Sequence, residues 1–177
     1  GKLYRGHEGF AGEFSHIPIF LNGKLCWCGK AGCLETETSL LLIIEKAREG
    51  INAGRLSKLS SLPLHDPELA CDAIIKAVKE GDQFAIELFS KAGYNIGKGV
   101  AILIHLLNPN KIILSGRGAS AGQIWQAPIQ QSLNEHCIHR LFQSTSIEIS
   151  KLGIDAELIG AAALLMENYE LFKVSKS

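Results

Sequence analysis

The sequence predicts an α/β fold with a parallel sheet, and three observations support this prediction. Two short apolar runs with the composition of buried strands lie in the second half of the chain. A helical pattern separates these runs, and a second helical pattern follows the later one. This alternation of strand and helix is typical of parallel strands joined by crossover helices.

The first third of the chain is predicted to combine loops with one helix. Residues 1–16 are rich in glycine and predict a loop. Apolar residues then alternate with other residues up to Asn22-Gly23, which predicts the turn of a β-hairpin. Apolar residues at helical spacing predict the first helix over about 34–48, so Glu35 should lie in its first turn.

Two further helices are predicted after the irregular segment 51–65. Asp66-Pro67 combines a capping residue with proline at the first helical position and predicts a helix that ends near Gly81. Asp82 can cap the next helix, which extends to about Leu107. That helix contains three glycines, each of which would weaken an isolated helix by about 1 kcal/mol. Because a missing Cβ lets two backbones approach, we expect close helix packing at Gly93, Gly97 and Gly99.

The back half contains the two predicted strands and two helices. The strands cover 111–115 and 145–150, and each is a short apolar run bounded by turn residues. A helix over about 123–139 connects them. A final alanine-rich helix, capped by Asp155, extends to about Tyr169.

Composition indicates a globular protein of the cytoplasm. The 177 residues suffice for one domain with a substantial core. Lysine and arginine (18) balance aspartate and glutamate (18), which gives no electrostatic basis for binding nucleic acid or an anionic membrane. No apolar run approaches the ~20 residues that span a bilayer, and no signal peptide opens the chain. The chain begins without methionine, so we expect it to be a piece of a longer protein.

Four residues have the spacing and chemistry of a closed metal site. One imidazole and three thiolates are the soft ligand set that tetrahedral Zn²⁺ favours, usually in structural sites. Gly29 and Gly32 let the backbone curl between the cysteines. The alternative is a loop with three buried or disulfide-prone cysteines. The candidate ligands are His16, Cys26, Cys28 and Cys33.

Two carboxylates flank this candidate site, which covers about residues 16–35. Glu13 precedes His16 by three residues, and Glu35 follows Cys33 by two. A closed zinc site leaves their hard oxygens free to bind another ligand. The alternative is that both are solvated surface residues, or that Glu35 favours a helix N-terminus.

Several stretches resemble the ROK family, which includes bacterial sugar kinases and sugar-responsive transcriptional repressors. Residues 9–16 are similar to its G-x-A-G-E-x-G-H motif, although Ser15 stands where the family usually has glycine. The segment Cys26 to Glu35 is similar to its C-x-C-G-x-x-G-C-x-E motif. The resemblance covers nearly the whole chain and includes Asn108-Pro109, 113–116 and 152–162.

The resemblance implies an actin-like (ribonuclease H-like) fold of two lobes, in which this chain is the C-terminal lobe with a zinc knuckle. Sugar or sugar phosphate would bind between the lobes at Glu13, His16 and Glu35. His16 would then bind zinc through one ring nitrogen and a sugar hydroxyl through the other. The general-base aspartate and phosphate loop of family kinases belong to the first lobe and are not in this sequence. The family also implies a homo-oligomer, either a dimer or a tetramer.

A weaker signal concerns nucleotide binding. Gly116-Arg117-Gly118 follows a predicted strand and resembles the place where actin-like kinases approach the adenosine of ATP. The same residues are equally well explained as a tight turn into a helix, so Gly116 and Gly118 are candidates only. Of the other histidines, His7 is expected to be exposed and His105 to lie in the core.

Two functional hypotheses follow. The first is the sugar-sensing effector domain of a transcriptional regulator, which contacts DNA only through an upstream segment outside this chain. The second is the sugar-binding lobe of an ATP-dependent hexose kinase. Thr36 after Glu35, and the lack of glycine after Ser39, favour the regulator, because family kinases more often have Ser-Gly at that point.

Overall fold

The computed structural model describes residues 2–61 and 66–167, which form α-helices, short 3-10 helices and a small parallel sheet. The strands are β1 (Lys111–Leu114) and β2 (Ser146–Ile149). The α-helices are α1 (Glu35–Thr38), α2 (Leu40–Asn52), α3 (Pro67–Lys79), α4 (Gln83–Leu107), α5 (Gln126–His136), α6 (His139–Phe142) and α7 (Ala156–Glu167). Short 3-10 helices cover Phe14–His16, Lys58–Ser61, Arg117–Trp125 and Gly153–Asp155. Within the described ranges, every helix is too short or too polar to cross a membrane.

The sheet confirms the predicted parallel pairing. β1 and β2 are hydrogen-bonded in parallel, and their register pairs Ile112 with Ile147 and Leu114 with Ile149. Helices α5 and α6 lie between the strands in sequence and form the crossover that parallel pairing requires. The prediction of an α/β fold is therefore correct.

The core is built around α4, which packs against α2, α3 and α5. Its fully buried side chains include Phe89 and Ile104, which join Ile74 of α3 and Ile129 and Leu133 of α5 in one apolar cluster. Burial of this cluster is the main stabilising contribution to the fold.

Capping side chains begin the helices as predicted. The Asp66 carboxylate accepts hydrogen bonds from the backbone N–H groups of Glu68 (2.9 Å) and Leu69 (3.1 Å). Asp82 accepts from the N–H of Ala85 at 2.9 Å and is itself buried. Burial acts to raise the pKa of Asp82, but its hydrogen bonds outweigh this effect, so the pKa lies below its usual value.

The predicted close packing at the glycines of α4 is confirmed in the geometry. A Cβ at Gly97 would lie 2.5 Å from the Cβ of the buried Ser132 in α5. A Cβ at Gly99 would lie 2.8 Å from Cδ2 of Leu34, directly before α1. The glycines therefore let α4 approach both α5 and the segment that contains the candidate metal ligands.

Two local predictions are wrong. In the described residues, the segment around Asn22-Gly23 makes a turn but no hairpin, and its only ladder contacts are the isolated bridges Pro18–Cys33 and Leu25–Ala31. The predicted helix over 34–48 is split at Ser39, whose backbone is extended (ψ 151°) and whose Oγ accepts from the N–H of Leu42. Serine favours this capping role over a helix interior.

The later helices differ from prediction mainly at their ends. The helix predicted over 123–139 begins only at Gln126, because a 3-10 segment with Gly122 at φ +68° precedes it. It ends at His136, because the backbone of Cys137 is extended. Asp155 ends the 3-10 helix directly before α7. The predicted end of the last helix at Tyr169 lies outside the described residues.

Candidate functional site

The four candidate metal ligands form one cluster. Their ligand atoms all lie within 4.8 Å of one another. Nδ1 of His16 is 3.5 Å from Sγ of Cys26, and the sulfurs of Cys28 and Cys33 are 3.6 Å apart. Metal–sulfur bonds of about 2.3 Å in a tetrahedral site would place two sulfurs about 3.8 Å apart. The spacing and chemistry of the donors therefore fit one tetrahedral metal ion.

Local backbone geometry brings these residues together. A tight turn joins Cys26 N–H to the carbonyl of Lys30 (2.7 Å) and Gly29 N–H to the carbonyl of Cys26 (2.9 Å). Gly29 has φ +86° and Gly32 has φ +77°, a conformation that side chains disfavour. The 3-10 helix Phe14–His16 then presents the imidazole to the cysteines.

The cysteines are free thiols, which argues against a disulfide in this loop. Cys33 is fully buried, and burial raises the pKa of its thiol to about 12. A backbone hydrogen bond from Lys30 lowers the pKa of the Cys28 thiol. A metal ion that binds here would displace the proton of Cys33, since only the thiolate is a ligand.

The three candidate sugar-binding residues converge beside the cluster. Nε2 of His16 lies 3.7 Å from Oε2 of Glu13, and Nδ1 lies 3.4 Å from Oε2 of Glu35. The imidazole is 16% exposed, whereas the side chains of Glu13 and Glu35 are 69% and 36% exposed. The four candidate metal ligands are thus buried or half-buried, whereas the two carboxylates reach solvent.

One residue beside the cluster, Trp27, was not predicted from the sequence to take part in the site. Its indole Nε1 donates to Oε1 of Glu35 at 3.4 Å. Its ring meets the His16 ring edge to face, with centroids 4.8 Å apart and an angle of 88° between the planes. The only signal in the sequence is its position between the candidate ligands Cys26 and Cys28.

The glycines proposed for nucleotide binding lie at the carboxyl end of β1. Gly116 has φ +87°, and the carbonyl of Gly118 accepts from Nε1 of Trp125 at 2.9 Å. Gly118 also lines a cavity of about 270 Å³ whose wall includes Leu40. A Cβ at position 118 would lie 3.4 Å from Trp125 and 3.5 Å from Leu40, which is ordinary van der Waals contact, so packing alone does not require glycine there. A nucleotide role for Gly116 and Gly118 stays a prediction.

The other histidines within the described ranges are not part of the cluster. His7 is exposed, as predicted. The prediction for His105 is wrong, because this residue is exposed and its Nε2 accepts a hydrogen bond from the N–H of Ile138 at 3.1 Å. His136 contacts the hydroxyl of Tyr94 at 3.0 Å, which links α5 to α4.

Comparison with known proteins gives relatives of two kinds. The chain is 32% identical over 168 residues to a glucokinase of Halalkalibacterium halodurans, with 94% of the chain and 51% of the relative covered. It is 30% identical over 171 residues to a xylose repressor of Caldicellulosiruptor bescii, with 94% of the chain and 42% of the relative covered. The chain thus spans about half the length, or less, of these curated relatives.

A solved structure shares the fold. The chain superposes on a ROK family glucokinase from Streptomyces griseus, in complex with glucose and AMPPNP, with a TM-score of 0.77 at 29% identity. The match covers 92% of this chain and 54% of the glucokinase. The α/β fold is therefore that of the actin-like ROK sugar kinases, as the resemblance predicted. Since the family model for ROK also matches residues 1–168, the chain belongs to the ROK family.

Proposed function

We propose that this chain is the C-terminal, sugar-binding lobe of a ROK protein. The observation that carries this proposal is the convergence of Glu13, His16 and Glu35, with both carboxylates accessible to a ligand. A sugar offers many hydroxyl groups and little apolar surface, so its recognition depends on hydrogen bonds. Carboxylates accept such bonds from hydroxyls, and their charge strengthens them.

In this proposal the metal is a structural Zn²⁺ ion held by His16, Cys26, Cys28 and Cys33. Zinc binding at Nδ1 of His16 would leave Nε2 protonated, because a neutral imidazole has one N–H. That N–H faces Glu13 and can donate to a sugar oxygen. The ion would then orient the imidazole, while the carboxylates and the ring bind the sugar.

We further propose that the parent protein is a sugar-responsive transcriptional regulator whose DNA-binding segment lies upstream of this chain. Leu40 supports this choice, since it occupies the position at which kinases of the family more often have glycine. Its side chain would lie 3.5 Å from a Cβ at Gly118, and both residues line the cavity at the end of β1. Leu40 thus reduces the space at the position where actin-like kinases approach adenosine.

The alternative, the sugar-binding lobe of a hexose kinase, is supported by the similarity to glucokinases. Either protein would bind sugar through the same residues. The two proposals differ in the catalytic groups expected in the first lobe and in whether the protein binds ATP. Homo-oligomerisation also stays a proposal, and the exposed apolar residues of α7, among them Leu158 and Met166, are compatible with it.

Glu35→Gln tests the sugar site. Loss of the charge should weaken sugar binding by about 1.5–3 kcal/mol, the range for hydrogen bonds to charged groups. The measurement is calorimetry on the complete gene product with glucose, xylose and N-acetylglucosamine. Glu37→Gln, two residues further along α1, is the matched control and should leave affinity unchanged. Equal affinities of Glu35→Gln and the unsubstituted protein would exclude this role for Glu35.

A coupled kinase assay on the complete gene product distinguishes regulator from kinase. A sensor needs only different sugar affinities in two arrangements of its lobes, whereas a kinase also needs a base and groups that hold the transferred phosphoryl. We expect no ATP-dependent phosphorylation of the same three sugars and a sugar-dependent change in affinity for operator DNA. Sustained turnover on any of them would replace the regulator proposal with the kinase.

A further inference from the structure

We propose that Trp27 is a positioning residue of the sugar site, which orients the carboxylate of Glu35 and the imidazole of His16. This inference rests on the sugar-binding role proposed above. It adds a residue outside the carboxylate and histidine set, and it connects that set to the metal cluster through the backbone of the knuckle (residues 26–33).

The two oxygens of the Glu35 carboxylate have different neighbours, and Trp27 contacts only one of them. Oε1 accepts from the indole N–H at 3.4 Å, while Oε2 lies 3.4 Å from Nδ1 of His16. One anchored oxygen restricts rotation of the carboxylate, so the group loses less freedom when a sugar binds. The edge-to-face contact with the imidazole restricts the second sugar-binding group in the same way.

The exposure of Trp27 is not explained by packing. The residue is 80% exposed, whereas Trp125, the other tryptophan of the chain, is 5% exposed and packs in the core. Large aromatic side chains usually bury most of their surface in a folded protein. A structural role in the core would therefore require burial that Trp27 lacks, while a role at an open ligand site accounts for its exposure.

The position of Trp27 in the chain supports the same role. The two neighbouring residues, Cys26 and Cys28, are both candidate metal ligands, so a bound ion would hold the backbone of Trp27 from both sides. A rigid backbone makes the indole a fixed donor rather than a mobile one. The knuckle would thus orient Glu35 through the hydrogen bond from Trp27, and it would orient His16 through the metal ion that both share.

Trp27→Phe and Trp27→Ala in the complete gene product test this inference. Phenylalanine keeps a ring against His16 but removes the N–H donor, and alanine removes both contacts. With glucose, xylose and N-acetylglucosamine as probes, we expect Kd to rise about 3–10-fold for Trp27→Phe and further for Trp27→Ala, the scale of one exposed hydrogen bond. Zinc content and thermal midpoint should not change, because the side chain is exposed. Leu25→Ala, at an exposed residue directly before the knuckle, is the control and should leave Kd unchanged.

A double-mutant cycle separates positioning from a general structural effect. If Trp27 acts through Glu35, Trp27→Phe should change Kd much less in a Glu35→Ala background. Fluorescence gives an independent readout, since a sugar bound at Glu35 should protect Trp27, and not the buried Trp125, from acrylamide quenching.

The outcomes distinguish this inference from the proposal on which it rests. Sugar binding that Trp27→Ala leaves unchanged would overturn the role of Trp27 and leave the proposed sugar site intact. An equal effect of Trp27→Phe with and without Glu35 would also overturn it. If the unsubstituted protein binds none of the three sugars, the proposed function fails, and the inference fails with it.

Discussion

Cys33→Ser should abolish binding of the proposed zinc ion and unfold the segment that holds it. Cys33 is fully buried, its sulfur lies 3.6 Å from that of Cys28, and no fifth histidine, cysteine, aspartate or glutamate of the described residues joins the cluster. Metal binding and folding are coupled in closed sites of this kind. An ion present at a thousand times its Kd stabilises the folded state by about 4 kcal/mol, and we expect a loss of that size. Elemental analysis and urea unfolding of the purified protein measure both effects.

Cys137→Ser is the matched control, because this half-buried cysteine lies outside the cluster. It should keep one zinc ion per chain. The unsubstituted protein should release its metal as the pH falls: burial raises the pKa of the metal-free Cys33 thiol to about 12, so protons compete with the ion, and more strongly at low pH. A protein purified without added metal that contains no zinc, yet keeps a folded knuckle, would contradict the metal proposal.

Gly32→Ala should lower the free energy of unfolding by about 2–5 kcal/mol, the sum of a left-handed backbone penalty and an overpacking cost. Gly32 has φ +77°, and a Cβ there would lie 1.9 Å from the carbonyl oxygen of Phe20. A backbone carbonyl cannot move aside as a flexible side chain can. The carbonyl of Gly32 also accepts from the N–H groups of Ile19 and Phe20, both at 3.0 Å, so the clash falls where the knuckle joins the preceding segment.

Gly29→Ala separates the two costs. Gly29 has φ +86°, but a Cβ there would have no atom within 4 Å. Only the backbone penalty of about 1–2 kcal/mol should therefore remain. Urea unfolding of the two variants, together with their zinc content, measures the difference. Equal stabilities of Gly32→Ala and Gly29→Ala would show that the contact with Phe20 relaxes at no cost.

The parts of the fold that depend on local interactions were predictable from sequence. Asp66 and Asp82 begin helices at the expected residues because a capping side chain bonds to N–H groups only two or three residues away. The parallel pairing of β1 and β2 followed from the crossover helix between them. The glycines of α4 predicted close packing, although the partners Ser132 and Leu34 could not be identified.

Local signals failed where several explanations competed. The alternating apolar residues before Asn22-Gly23 were expected to pair with the residues directly after this turn. In the described chain Pro18 instead forms an isolated bridge with Cys33. The apolar periodicity after Leu34 continued across Ser39, but the capping preference of serine divided the segment into two helices.

By itself, the sequence determined the α/β class, the principal helix caps and the identity of the four candidate ligands. These depend on residue type and on spacing along the chain, which a sequence states directly. The tertiary structure alone decided that Glu13 lies near Nε2 of His16 and Glu35 near its Nδ1, and that Trp27 contacts both His16 and Glu35. Such contacts depend on the path of the turn that contains Gly29 and Gly32, which both have positive φ. Spacing along the chain does not determine the direction that the backbone takes in this turn.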